Sequence, residues 1–117
     1  MILPVPLGVA RLKERGYNQA VLIARPLALN IDIPCETQGL HRVRETRSQV
    51  GLTLNQRRDN VRNAFKATKE IVSNRRILVV DDVATSSATL DACASALLEA
   101  GAEDVSCLTI ARTSEQF

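Results

Sequence analysis

Two adjacent carboxylates, Asp81 and Asp82, are followed closely by four hydroxyl side chains, Thr85, Ser86, Ser87 and Thr89. That combination suits a phosphorylated sugar. Neighbouring carboxylates can accept hydrogen bonds from neighbouring ring hydroxyls, stabilise positive charge developing on the ring, or help hold a divalent cation. Hydroxyls and unpaired backbone N–H groups at the start of a helix form a cup for phosphate, with the positive end of the helix dipole behind it. Each feature alone has an ordinary explanation, because many strands end in acids and many helices start with a Ser or Thr cap. A cap needs one hydroxyl, however, and here there are four, in the order that a sugar followed by its phosphate requires.

The surrounding residues must position these groups. Residues 77–80 are consecutive apolar side chains, three of them β-branched, as expected of a strand buried on both faces of a parallel sheet. Asp81 and Asp82 then fall in a turn at the strand's C-terminal end, where open α/β sheets bind ligands. Leu90, Cys93, Ala94, Leu97 and Leu98 recur at helical spacing, and Gly101 supplies a stop. The reading is strand, acidic turn, hydroxyl-rich loop, helix. Residues 1–7 read as a short strand leaving the ladder at its prolines. Residues 8–16 read as a polar loop with a glycine at each end, and a helix follows from about Ala20, with Pro26 expected to kink or shorten it. Residues 31–40 suggest a short edge strand at Pro34, and residues 41–49 a mobile loop. Residues 53–63 suggest a polar helix capped by Thr53, residues 64–66 a brief strand, and residues 104–112 a further strand. This strand–helix–strand order predicts an α/β fold with parallel pairing through right-handed crossovers.

Arg15 and Gly16, entering a helix, read either as a solvated arginine or as a second anion site, where glycine lets backbone approach a ligand and arginine grips phosphate oxygens in bidentate fashion. The single histidine, His41, reads as a surface residue. The 117 residues suit one domain. One Tyr, two Phe and no Trp argue against a base-stacking surface for single strands. Net charge is only +2, but residues 41–66 carry seven Lys/Arg against two Asp/Glu, while residues 67–117 carry four against eight. A basic segment facing an acidic sugar site fits a polyphosphate ligand and also a nucleic-acid contact. Cys35, Cys93 and Cys107 form no C-x-x-C pair, so a zinc site within the chain is not expected, and buried thiols in a reducing, cytoplasmic setting are. No signal peptide and no membrane-spanning run is read.

The stretch Val79-Val80-Asp81-Asp82-Val83-Ala84-Thr85-Ser86-Ser87-Ala88-Thr89-Leu90 resembles the phosphoribosyl-pyrophosphate (PRPP) loop of type I phosphoribosyltransferases. Pro4-Val5-Pro6-Leu7 with Arg15-Gly16-Tyr17-Asn18-Gln19-Ala20 is similar to the pyrophosphate-loop region of the ComF/GntX competence-protein branch. Arg44, Thr46, Gln49 and Leu52, then Arg57, Asn60, Ala64 and Phe65, are similar to its flexible loop and the helix after it. Residues 105–112 resemble its last core strand. The glutamine amidotransferase of purine synthesis shares the proline-rich first strand and is the more distant relative.

The resemblance implies a type I phosphoribosyltransferase-like fold over residues 1–117, with a central, mostly parallel β-sheet flanked by helices. It implies that Asp81 and Asp82 contact the ribose hydroxyls of PRPP, and that Thr85, Ser86, Ser87, Ala88 and Thr89 cradle its 5-phosphate. Arg15 and Gly16 would lie near the pyrophosphate. Magnesium would be bound mainly through PRPP, and Arg44, Thr46 and Gln49 would close over the site. The implied reaction displaces pyrophosphate at the ribose anomeric carbon, and no side chain stands out as a general base for an acceptor. The alternative is a non-catalytic PRPP- or nucleotide-binding protein of DNA uptake, with DNA or the competence machinery as partner. Ser87 stands where the pattern expects glycine, which is expected to weaken phosphate binding. The branch usually carries a cysteine-rich zinc segment before the first strand, so a short form or fragment is expected, with uncovered surface favouring a homodimer.

Overall fold

The computed structural model describes residues 1–44, 50–84 and 88–112. In chain order the elements are β1 (Ile2–Pro4), α1 (Val9–Arg15), α2 (Gln19–Ile31), β2 (Leu40–Arg42), α3 (Leu54–Val61), β3 (Phe65–Ala67), α4 (Lys69–Val72), β4 (Arg76–Ala84), α5 (Ala88–Glu99) and β5 (Asp104–Arg112).

β4 is central because its side chains can be buried on both faces. Ile77 and Val79 enter one core with Cys93, Ala96 and Leu97 of α5, while Leu78 and Val80 pack with Ile2 and with Ala24 and Ala28 of α2. β1 and β5 pair with β4 in parallel on either side, giving the order β1-β4-β5. A smaller antiparallel pair, β2 and β3, aligns Leu40 with Ala67, His41 with Lys66 and Arg42 with Phe65. The architecture is therefore α/β, a mostly parallel sheet with helices against it, as the resemblance implied. No helix of the described residues is long and apolar enough to cross a membrane.

Several local expectations need correction. Residues 8–16 form a helix and not a loop. Its inner residues favour helix, the two glycines mark its ends, and with no buried residue it offers no apolar period to detect. α2 runs through Pro26 to Ile31. Pro26 is exposed, and the buried Ala24 and Ala28 hold the helix on the sheet against Ile2 and Val80, where small side chains permit close approach. The expected strand at residues 31–40 shrinks to a single bridge between Cys35 and Ile2. Ile31 belongs to α2 and Asp32 takes a left-handed conformation (φ 55°). The Pro34 carbonyl still accepts from the Ile2 N–H (2.8 Å), so the segment does lie along the outer side of β1. His41 and Arg42, expected in a loop, belong to β2, a strand too short to show alternation. Asp81 and Asp82 lie in β4 and not in a turn, because β5 runs alongside and pairs with it as far as Ala84 and Arg112.

The capped helix at Thr53 is found, with the full reciprocal cap between Thr53 and Gln56. All three cysteines are free, and of these only Cys93 is fully buried.

Candidate functional site

β4 carries both acids at the C-terminal end of the parallel strands. Asp81 and Asp82 are each half-buried, and the Asp82 N–H donates to Asp81 Oδ1 at 2.9 Å. Burial raises the Asp81 pKa from its ordinary 3.8 to about 7, helped by a hydrogen bond with the Asp82 carboxyl and by that group's charge. The Asp82 backbone N–H and the positive charge of Arg42 pull the other way. Near neutral pH Asp81 is thus part protonated, so the pair offers both a donor and acceptors to a polyhydroxyl ligand.

The loop after β1 reaches the same end of the sheet. Pro4 is level with Val80, and the Val5 N–H donates to the Val80 carbonyl at 2.9 Å. The next two carbonyls are each held by a side chain from elsewhere. Asn18 Nδ2 donates to Val5 O at 3.0 Å, while Asn18 Oδ1 accepts from the Ala20 N–H at 2.9 Å and so caps α2. Arg42 Nε donates to Pro6 O at 3.2 Å, and its guanidinium carbon lies 4.7 Å from the centre of the Phe65 ring. The α2 start and the β2–β3 pair are thereby both fastened to the loop beside the acids.

Arg15 and Gly16 end α1, just before the Asn18 cap. Arg15 is exposed, with Nη1 3.5 Å from Gln19 Oε1. Gly16 has φ 80° and its N–H donates to Leu12 O at 2.8 Å, so that N–H serves the helix cap. Nothing lies within 4 Å of the place a Cβ would take on Gly16, which leaves this side of the backbone open to an approaching group. Arg44 Nη2 donates to Asn60 O at 2.8 Å and to Arg62 O, closing the C-terminal end of α3. Ala88, buried, and Thr89, half-buried, open α5. Thr85, Ser86 and Ser87 of the expected phosphate cup, and Thr46 and Gln49 of the expected closing loop, lie outside the described residues. His41 is exposed on β2, as expected of a surface residue. Among the described residues no three His, Cys, Asp or Glu side chains converge to hold a metal ion.

Arg42 and Asn18 are the residues that sequence reasoning did not single out. Asn18 lay within the marked Arg15–Ala20 motif and Arg42 only within the expected loop at residues 41–49; their roles depend on contacts far along the chain, between residues 42 and 6 and between 18 and 5.

Residues 14–116 match the family model described as the phosphoribosyl transferase domain. The chain belongs to this family. Its relatives place it in the ComF branch of the type I phosphoribosyltransferases. It is similar to Competence protein F from Haemophilus influenzae, 39% identical over 113 residues that make up 95% of this chain and 49% of that one. DNA utilization protein YhgH from Escherichia coli O157:H7 is 35% identical over 96% of this chain and 49% of its own length. Competence protein ComFC from Bacillus subtilis is 32% identical over 97% of this chain and 45% of its own. The chain thus spans about half the length of the curated relatives it matches. Among solved structures, glutamine PRPP amidotransferase from Bacillus subtilis, complexed with ADP and GMP, superimposes with a TM-score of 0.62 and 25% identity. That likeness covers 92% of this phosphoribosyltransferase-family chain and 21% of the amidotransferase chain.

Proposed function

We propose that this chain is a PRPP-binding, phosphoribosyltransferase-like domain that acts in DNA uptake and displaces pyrophosphate at the ribose anomeric carbon. The observation that carries the reading is the half-buried acidic pair at the end of β4, ahead of a helix start and beside the loop after β1. In this reading Asp81 and Asp82 receive the ribose hydroxyls and stabilise an oxocarbenium-like transition state. Residues 85–89 hold the 5-phosphate, with Thr89 contributing from the first turn of α5. Arg15 and Gly16 face the pyrophosphate, and Arg44, Thr46 and Gln49 belong to the segment that closes to exclude water. In this reading magnesium is carried mainly by PRPP oxygens and water. The domain is cytoplasmic and self-associates in this reading.

A second reading is a PRPP- or nucleotide-binding protein of DNA uptake without turnover; the names of the relatives, a competence protein and a DNA utilization protein, bear on its DNA side alone. There the basic segment, residues 41–66, meets DNA or a partner. Titration calorimetry with PRPP and magnesium, followed by pyrophosphate release across a panel of acceptors, separates the two. Binding with release supports the transferase. Binding without release across the panel supports the second reading, and no binding overturns both. Asp81→Asn combined with Asp82→Asn is expected to abolish PRPP binding with the fold intact, and unchanged affinity removes the ribose assignment. DNA contact is tested by a salt titration, because phosphate contacts weaken as salt rises.

A further inference from the structure

We infer that Arg42 is a positioning residue of this site, fastening the loop after β1 to the β2–β3 pair beside the acidic pair of β4; the inference rests on the PRPP reading for its functional consequence. Two contacts fix the one guanidinium: its Nε donates to the Pro6 carbonyl and its face lies over Phe65. Its charge also reaches the Asp81 carboxyl and favours the ionised form there. These partners come from three separate parts of the chain, the β1 loop, β3 and β4.

The geometry suits arginine and not lysine. A planar, delocalised group can stack on a ring while its in-plane N–H reaches sideways to a carbonyl, and its orientation is then set by both. The stack also fixes the guanidinium to the strand pair, because Phe65 is the register partner of Arg42 itself. Among the described residues no main-chain ladder joins the two sheets, so the β2–β3 pair meets the parallel sheet through side chains, Leu40 and Phe65 in the core and Arg42 at the loop after β1. Among the described side chains, the charges that act on Asp81 are Asp82 on the same strand and Arg42 from β2. Removing Arg42 removes the cation of this set and one of the two side-chain anchors of the loop.

The test uses the full chain with Arg42→Met and Arg42→Lys, and has one arm without ligand. The Leu7 amide shares its peptide bond with the Pro6 carbonyl, and the Asp82 amide donates to Asp81 Oδ1, so both report on the arrangement by 1H–15N NMR. Arg42→Met is expected to move both resonances while those of α5, such as Leu97, stay in place. Arg42→Lys is expected to return the Asp82 resonance towards its original position, because the charge is restored, and to leave Leu7 displaced. If Arg42→Met does not fold, the Leu7 resonance of Arg42→Lys decides alone. Unmoved Leu7 and Asp82 resonances overturn the inference. In the second arm, PRPP with magnesium is expected to bind Arg42→Met about tenfold more weakly or worse, with partial rescue by lysine. Equal affinity of wild type and Arg42→Met overturns the positioning role and leaves the PRPP reading standing. Displaced resonances in a protein that never binds PRPP support the role and overturn the reading.

Discussion

Asp81 behaves unlike an ordinary surface carboxyl because it is half-buried beside a second acid on the same strand. Its pKa is 3.8 when unperturbed and about 7 in the fold. An acid whose pKa is higher folded than unfolded keeps its proton more firmly in the native state. Its stabilising contribution is complete below 3.8 and fades as pH rises through about 7. The melting temperature is therefore expected to fall from pH 4.5 to 7.5 more steeply in the wild type than in Asp81→Asn, as read by differential scanning fluorimetry. Parallel curves for the two proteins would mean that Asp81 titrates as an ordinary carboxyl. At this scale the sequence is informative where neighbours in the chain are neighbours in space. The acidic pair was legible for that reason. Arg42 was not, because its partners are Pro6, Phe65 and Asp81, and nothing in the composition of residues 41–49 shows that the chain pairs there.

At the scale of elements, local chemistry predicts well when it is self-contained. Thr53 and Gln56 cap α3 reciprocally, with the Gln56 N–H 3.2 Å from Thr53 Oγ1 and the Thr53 N–H 2.9 Å from Gln56 Oε1. Thr53→Ala is expected to cost about 1 kcal/mol in urea denaturation, with an unchanged m-value. The buried run of β4 and the helix α5 were legible from their apolar content. α1 was not, because it buries nothing, and its glycines mark a loop and a helix end equally well. The strand expected at residues 31–40 failed for the opposite reason. Its β-branched residues promised a strand, but Ile31 was already taken by a helix that packs on the sheet through its alanines. β4 outran its expected end because its length depends on β5, which supplies ladder partners beyond the acids.

For the whole molecule, the acids depend on packing behind the strand that carries them. Ile77 and Val79 are held against Cys93 and Leu97 of α5, and Leu97 is fully buried. Leu97→Ala is expected to destabilise the fold by roughly 2–5 kcal/mol through lost burial and the cavity left behind, measured by the same urea transition. PRPP affinity extrapolated to the folded fraction is expected to change little, because Leu97 lies near the C-terminal end of α5, behind Ile77 and Val79, whereas the candidate site meets the first turn of that helix at Thr89. The overall α/β class followed from the sequence because parallel strands buried on both faces leave an unbroken apolar signature. The attachment of the small β2–β3 pair left none, being made of three-residue strands and side-chain contacts.

The middle strand of the parallel sheet takes its two neighbours from opposite ends of the described chain, Ile2 aligning with Leu78 and Asp104 with Arg76. Such pairing is slow to form, because distant segments must meet before either is rewarded. During translation the ribosome would release both carboxylates well before their last supporting strand exists. A polypeptide halted at residue 103 is therefore expected to carry the acids without a cooperative melting transition, and pulse proteolysis of stalled nascent chains would register protection only once synthesis passes β5.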